Sequence, residues 1–81
     1  MTAQMFIFPL PNRAGKIRTV ATMLMGMRSP AAAKAYRLRI TGGLLHHLEK
    51  LGVPPMEQYE PIFAFWNAVH EEIARRMEGA A

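Results

Sequence analysis

The middle of the chain carries a start signal and a stop signal for one long helix. Ser29 is a favoured N-cap residue, and Pro30 follows it at the first helical position, where a missing N–H has no consequence. At the other end, Gly52 suits the left-handed residue that closes a helix, and Pro54-Pro55 prevents continuation. Between these signals apolar residues recur at three- and four-residue steps. The pattern predicts a helix over residues 30–51, about 33 Å long.

Two further helices are predicted, one on either side of this long central helix. Asn12 is a candidate N-cap for a helix over residues 13–27. The last helix is expected over residues 56–78. A short turn comes first, and the regular helix is expected to begin again at Pro61. Each has one apolar face at helical spacing: Ile17, Val20, Ala21, Leu24 and Met27 in the first, and Ile62, Phe65, Trp66, Val69, Ile73 and Met77 in the last. We therefore expect an all-α fold, with a single three-helix domain over residues 12–81.

The first eleven residues do not fit a helix. Pro9 and Pro11 fix their own φ angles and favour extended backbone before them. Phe6, Phe8 and Leu10 are spaced by two, as on one side of an extended chain. We expect residues 1–11 to form an extended apolar N-terminal arm that packs across the helices or on a partner chain.

A glycine pair interrupts the predicted central helix. Gly42 and Gly43 each lower helix stability by roughly 1 kcal/mol relative to alanine. Such a pair either permits the close crossing of another helix or marks a bend. Of these two interpretations we favour close crossing.

Residue types that carry out catalysis are scarce. The 81 residues include no cysteine, which fits a reducing cytoplasm and removes thiol chemistry and cysteine-bound zinc. There is no aspartate, and the single serine, Ser29, is already assigned to a helix cap. His46 and His47 are adjacent, so on a helix they diverge by about 100°. A metal site would need His46, Glu49 and His70 together. We prefer the interpretation that His47 is an ordinary histidine at the edge of the apolar stripe and His46 an exposed one. We predict that the protein is not an enzyme and has no catalytic residues, no cofactor and no metal.

Charge is distributed unevenly along the chain, although the net charge is only +4. Residues 1–50 hold eight of the ten basic side chains and one acid, Glu49, whereas residues 51–81 hold five acids and two bases. A basic surface attracts nucleic acid. No helix-turn-helix pattern accompanies it, however, and the aromatic residues lie in the acidic half. A nucleic-acid-associated regulator is therefore the alternative function, with candidate residues Arg18, Arg28, Lys34, Arg37 and Arg39.

The leading hypothesis rests on apolar residues of the central helix that lie outside its main apolar face. Leu38 and Leu45 lie seven residues apart, away from the main apolar stripe of the central helix. A helix with two apolar faces is either sandwiched or exposes an interface. We predict a non-enzymatic protein-interaction module that self-associates, as a homodimer, or binds another protein. A third hypothesis is a mobile-element-encoded inhibitor of a host complex. The candidate contact residues are Phe6, Phe8, Leu38, Leu45, Phe63 and Trp66, with core packing as the competing interpretation, favoured for Trp66.

No targeting or membrane-spanning segment is evident in the sequence. The longest uncharged apolar run, Met5 to Pro11, is far shorter than the roughly 20 residues that cross a bilayer. The basic, acid-free stretch from Arg13 to Arg39 also has the composition of an organelle transit peptide, but its helix signals favour a folded segment. A basic first helix on a membrane surface is a further alternative. We expect a cytoplasmic protein.

The order of these features resembles a family of short uncharacterised proteins from rhizobia and related alphaproteobacteria. That pattern has an N-terminal Phe-Pro and a basic helix, followed by a long helix with a Ser-Pro/Ala-rich start and a Leu-x-x-x-Gly end. Its final helix contains Phe, Ala-Val and Glu-x-x-Arg-Arg. The matching residues are Phe8-Pro9, Arg13, Ile17-Arg18, Val20-Ala21, Ala31–Ala33, Leu48, Leu51-Gly52, Phe65, Ala68-Val69, Glu72 and Arg75-Arg76. The resemblance implies a bacterial cytoplasmic setting. The family has no assigned activity, so it supplies no site residues.

Overall fold

The protein is all-α in the part that the computed structural model describes, residues 13–80. Three α-helices and one short 3-10 turn follow one another: α1 (Arg13–Gly26), α2 (Pro30–Lys50), the turn Pro55–Glu57, and α3 (Tyr59–Ala80). The prediction of a three-helix fold is thereby confirmed. The predicted extended arm at residues 1–11 and the predicted Asn12 cap lie outside the described residues.

The ends of α2 follow the predicted signals. Ser29 has extended backbone, and its hydroxyl accepts a hydrogen bond from the Ala32 amide at 3.3 Å. At the other end Gly52 has a φ of 84°, and its amide donates to the Glu49 carbonyl at 3.0 Å. The Val53 amide donates to the Leu48 carbonyl at 3.0 Å, which completes a Schellman motif. Both Leu48 and Val53 are buried, so the cap also closes an apolar contact.

Two glycine-to-alanine changes are expected to have opposite effects on stability. A methyl group at Gly52 or at Gly43 meets no atom within 4 Å, so backbone conformation decides the outcome at both. Gly52→Ala forces a side chain into left-handed backbone and should lower the free energy of unfolding by about 1–2 kcal/mol. Gly43→Ala, inside α2, should raise it by up to about 1 kcal/mol. Urea unfolding followed by circular dichroism measures both; a shift of the same sign in the two variants contradicts the assignment.

The connection from α2 to α3 differs from the predicted one. A separate 3-10 turn, Pro55–Glu57, comes first, and α3 already begins at Tyr59, so that Pro61 lies in its first turn. Proline is tolerated there because the first amides of a helix have no partner within it. Gln58, between the two segments, is buried, and its amide nitrogen donates to the Val53 carbonyl at 2.8 Å. This bond ties the link to the end of α2.

The core lies between α3 and the other two helices. Its buried residues come from all three helices, and α3 is the helix that both others contact. Although α2 is the middle helix in the sequence, α3 is the helix around which the other two pack. The buried members of the core are Val20, Ala21, Tyr36, Leu44, Phe65 and Val69. Ile17, Leu24, Met27, Ile40, Ile62, Trp66 and Ile73 pack around them.

The predicted close crossing at Gly42-Gly43 is wrong within residues 13–80. Both glycines are exposed, and a methyl group added to either one meets nothing within 4 Å. No helix of the described chain therefore uses the missing side chains to approach α2 closely.

Candidate interaction surface

Trp66 and His70 of α3 form the polar contacts with α2. The Trp66 indole nitrogen donates to the Thr41 hydroxyl at 3.0 Å. The guanidinium carbon of Arg37 lies 5.8 Å from the centre of the Trp66 ring. Nη2 of the same side chain lies 3.2 Å from Nε2 of His70. A guanidinium only donates, so the His70 nitrogen is the acceptor. Position 41 pairs with 66 and position 37 with 70, so α2 and α3 run antiparallel.

Trp66 is mainly a packing residue. Its ring is half-buried and meets the buried Phe65 ring edge to face, with centroids 5.2 Å apart at 83°. Together with the hydrogen bond to Thr41, this contact orients the indole within the α2–α3 packing. Of the two interpretations offered by the sequence, core packing is the one that these contacts support for Trp66.

Leu38 and Leu45 are exposed on α2, with 65% and 37% of their surfaces accessible. They lie in a regular series with three smaller exposed residues, spaced alternately by four and by three. Such spacing places all five on one side of a helix. We call this series the outer stripe: Ala31, Ala35, Leu38, Gly42 and Leu45. Because the opposite side of α2 holds the buried Tyr36, Leu44 and Leu48, the outer stripe faces away from α3.

Phe63 belongs to a second exposed apolar group at the beginning of α3. Its ring stacks on that of Tyr59, with centroids 5.8 Å apart and planes at 15°. Both rings are more than half exposed, and Met56, in the preceding turn, is 92% exposed. We call Met56, Tyr59 and Phe63 the aromatic cluster. The remaining two candidate contact residues, Phe6 and Phe8, lie outside the described residues.

The five candidate nucleic-acid residues are exposed but point in different directions. Arg37 and Arg39 are two positions apart on α2, so their side chains diverge by roughly 160°. Arg37 lies against Trp66, whereas Arg39 lies 5.8 Å from the Tyr36 ring centre. Lys34 is near the Arg37 side, Arg28 precedes α2, and Arg18 lies on α1. The structure brings Lys34 and Arg37 to one side and separates Arg39 from them.

The sequence profile of a family of unknown function, DUF6074, matches residues 1–81. The chain belongs to this family. No curated protein and no solved structure matches it. The expected resemblance to a family of short proteins without an assigned activity is confirmed, whereas the range of that family among rhizobia stays a prediction.

The described part of this DUF6074 chain contains neither a membrane span nor a metal cluster. None of its helices is both long enough and apolar enough to cross a bilayer. Within residues 13–80, no group of three or more metal-ligating side chains comes together. His70 lies beside Arg37. On α2, Arg37 and His46 are nine residues apart, or about 14 Å along the helix axis. The hypothetical set of His46, Glu49 and His70 is therefore not assembled.

Arg76 joins α3 to α1 in this DUF6074 chain, a role that its position in the sequence does not reveal. Its guanidinium donates to the Thr22 hydroxyl at 2.8 Å, to the Arg18 carbonyl at 3.2 Å and to the Glu72 carboxylate at 2.8 Å. The hydrogen bonds from Arg76, and next from Arg75, lower the pKa of Glu72 from its ordinary value. In the sequence, the one indication of such a role is the adjacent basic pair Arg75-Arg76 in the acidic half of the chain.

Replacing Arg76 is expected to loosen α1, whereas replacing its neighbour is not. Arg76→Ala removes three hydrogen bonds from a partly buried guanidinium and should lower the free energy of unfolding by about 1–3 kcal/mol. Arg75→Ala removes only an ion pair whose basic member is 66% exposed, and should change it by less than about 0.5 kcal/mol. Thermal unfolding of the two variants provides the comparison; equal destabilisation contradicts the helix-joining role.

Proposed function

We propose that this protein is a small non-enzymatic helical interaction module, and that it acts by self-associating as a homodimer. The observation that carries the proposal is the outer stripe. Five consecutive positions at heptad-like spacing on α2 are apolar or small, and all five are exposed. A helix at the surface of a monomer normally has one apolar side, but α2 has a second that the described part of the chain leaves uncovered.

Self-association would supply buried apolar surface that a chain of 81 residues lacks. Domains of this size bury roughly 60–65% of their unfolded surface, and the stability from one core is marginal. Full burial of a leucine side chain is worth about 1.5–3 kcal/mol, and a symmetric dimer would cover four leucines along α2. The gain is largest at Leu38, which is 65% exposed in the monomer.

The binding of another protein through the same surface, and the binding of nucleic acid through the basic residues, are the competing functions. Because Arg37 and Arg39 point in different directions, the five basic candidates do not form one surface that could contact a nucleic-acid groove or backbone together. We also propose a bacterial cytoplasmic setting, in line with the rhizobial resemblance and the cysteine-free composition.

Multi-angle light scattering across a range of protein concentrations and salt concentrations tests this function. We expect the mass to rise from 9.1 kDa toward twice that value as concentration increases, with little effect of salt because the stripe is apolar. A chain that stays at 9.1 kDa at millimolar concentration refutes self-association. A mass increase that vanishes at high salt would instead point to the charged surfaces.

A further inference from the structure

We infer that the second copy binds antiparallel along α2, with Leu38 of each chain over Gly42 of the other. This inference rests on the proposed self-association and specifies the face, the direction and the register. Its starting point is the sequence of sizes along the outer stripe: two alanines, a leucine, a glycine and a leucine. A twofold symmetric interface must be complementary to itself, so large residues have to meet small ones when the stripe is reversed.

Reversal about a point midway between Leu38 and Gly42 produces that match. Leu38 then faces Gly42 of the partner, and Leu45 faces Ala35 of the partner, so each leucine enters a gap. In the parallel arrangement, equal residues would face one another instead. Leucine would meet leucine, the glycine would meet glycine, and the helix dipoles would be aligned unfavourably.

Gly42 supports this register because nothing within the described chain accounts for it. It lies inside α2, where glycine is about 1 kcal/mol less favourable than alanine. A methyl group there would meet no atom within 4 Å, so internal packing does not require glycine. A leucine from a second helix approaching at 8–10 Å between axes would fill the space that Gly42 leaves open.

Charge complementarity fixes the same direction. Glu49 is the only acidic residue among the first 50, and it continues the outer stripe by one further four-residue step. The first turn of α2 contains no acidic residue, while Arg28 and Lys34 flank it. In the antiparallel register, Glu49 faces Ala31 of the partner, beside those two cations and at the positive end of a helix. In a parallel pair, Glu49 would face Glu49.

The contact is a single helix pair, about 21 Å long from Ala31 to Leu45, so the dimer should dissociate on dilution. Filling the gap opposite Leu38 should weaken it. We expect Gly42→Met to raise the dimer dissociation constant at least tenfold in sedimentation equilibrium. Gly43→Met is the matched control, since it makes the same change one residue along, about 100° away from the stripe. It should leave the constant within twofold of the original; equal effects of the two substitutions overturn the register.

Charge substitutions at Glu49, Arg28 and Lys34 test the direction separately. Glu49→Lys places like charges opposite Arg28 and Lys34 in an antiparallel dimer, whereas in a parallel dimer it only exchanges one like-charge pair at position 49 for another. We therefore expect Glu49→Lys to raise the dimer dissociation constant in sedimentation equilibrium. The triple variant Glu49→Lys, Arg28→Glu and Lys34→Glu should restore it, because the opposite charges then face each other again. A Glu49→Lys chain that dimerises like the unmodified chain refutes the antiparallel direction, whereas an unmodified chain that never dimerises refutes the proposed function as well.

Discussion

A chain carrying both Leu38→Glu and Leu45→Glu is expected to remain at 9.1 kDa at concentrations where the unmodified chain dimerises. Both side chains are exposed, so the charges stay hydrated in the monomer and its fold should persist. In the dimer four carboxylates would be placed on an apolar interface, and each unpaired buried charge costs several kcal/mol. Because each 1.4 kcal/mol is a factor of ten, the dissociation constant should rise more than a hundredfold. Light scattering measures the mass, and circular dichroism checks the fold.

The matched control places the same charge on an apolar surface elsewhere. Met56 is 92% exposed in the aromatic cluster, and Met77 is 63% exposed near the end of α3. Met56→Glu and Met77→Glu should each dimerise like the unmodified chain, because neither residue belongs to the outer stripe. If Met56→Glu abolishes the dimer while the double leucine variant retains it, the interface lies at the aromatic cluster and α2 is not the contact helix.

The largest expected loss of stability follows from Phe65→Ala. The Phe65 side chain is 1% exposed and belongs to the core that all three helices share. Such a truncation lowers the free energy of unfolding by about 3–5 kcal/mol, through lost burial and a cavity. Small domains have only about 0.05–0.15 kcal/mol per residue in total. For 81 residues that is about 4–12 kcal/mol, so we expect Phe65→Ala to lose a large share of the stability. Urea denaturation followed by circular dichroism should show a much lower unfolding midpoint.

Phe63→Ala is the control for that loss. Phe63 lies two residues earlier on the same helix and is 54% exposed, with its ring against Tyr59 alone among the aromatic residues described. Its removal should lower the free energy of unfolding by no more than about 1 kcal/mol. A destabilisation at Phe63 as large as that at Phe65 would contradict the assignment of the core to the opposite side of α3.

Helix positions and faces were predictable because their causes are local. Ser29, Pro30 and Gly52 act on backbone groups within a few residues of themselves, so the ends of α2 follow from sequence. Apolar periodicity likewise identifies Val20, Phe65 and Val69 as core residues. The position of Pro61 was harder, since the first turn of a helix and the residue just before it both accept proline.

Contacts between distant residues were not predictable in this way. Arg76 donates to residues more than 50 positions away, and the residues next to it in the sequence do not indicate those partners. Gly42 illustrates the same limit, because the sequence predicts a crossing helix but not whether that helix belongs to the same chain. Leu38 and Leu45 could be identified from the sequence because they lie outside the main apolar stripe of α2. Ala31, Ala35 and Gly42 can be recognised as part of the same surface only once their exposure is known.

The most direct test of association through α2 is a dilution series followed by two-dimensional 15N–1H NMR of the uniformly labelled chain. We expect concentration-dependent shifts to centre on the amides of Ala31, Ala35, Leu38, Gly42 and Leu45, with little change along α1. Shifts confined to Met56, Tyr59 and Phe63, or a spectrum that does not change with concentration, would contradict it.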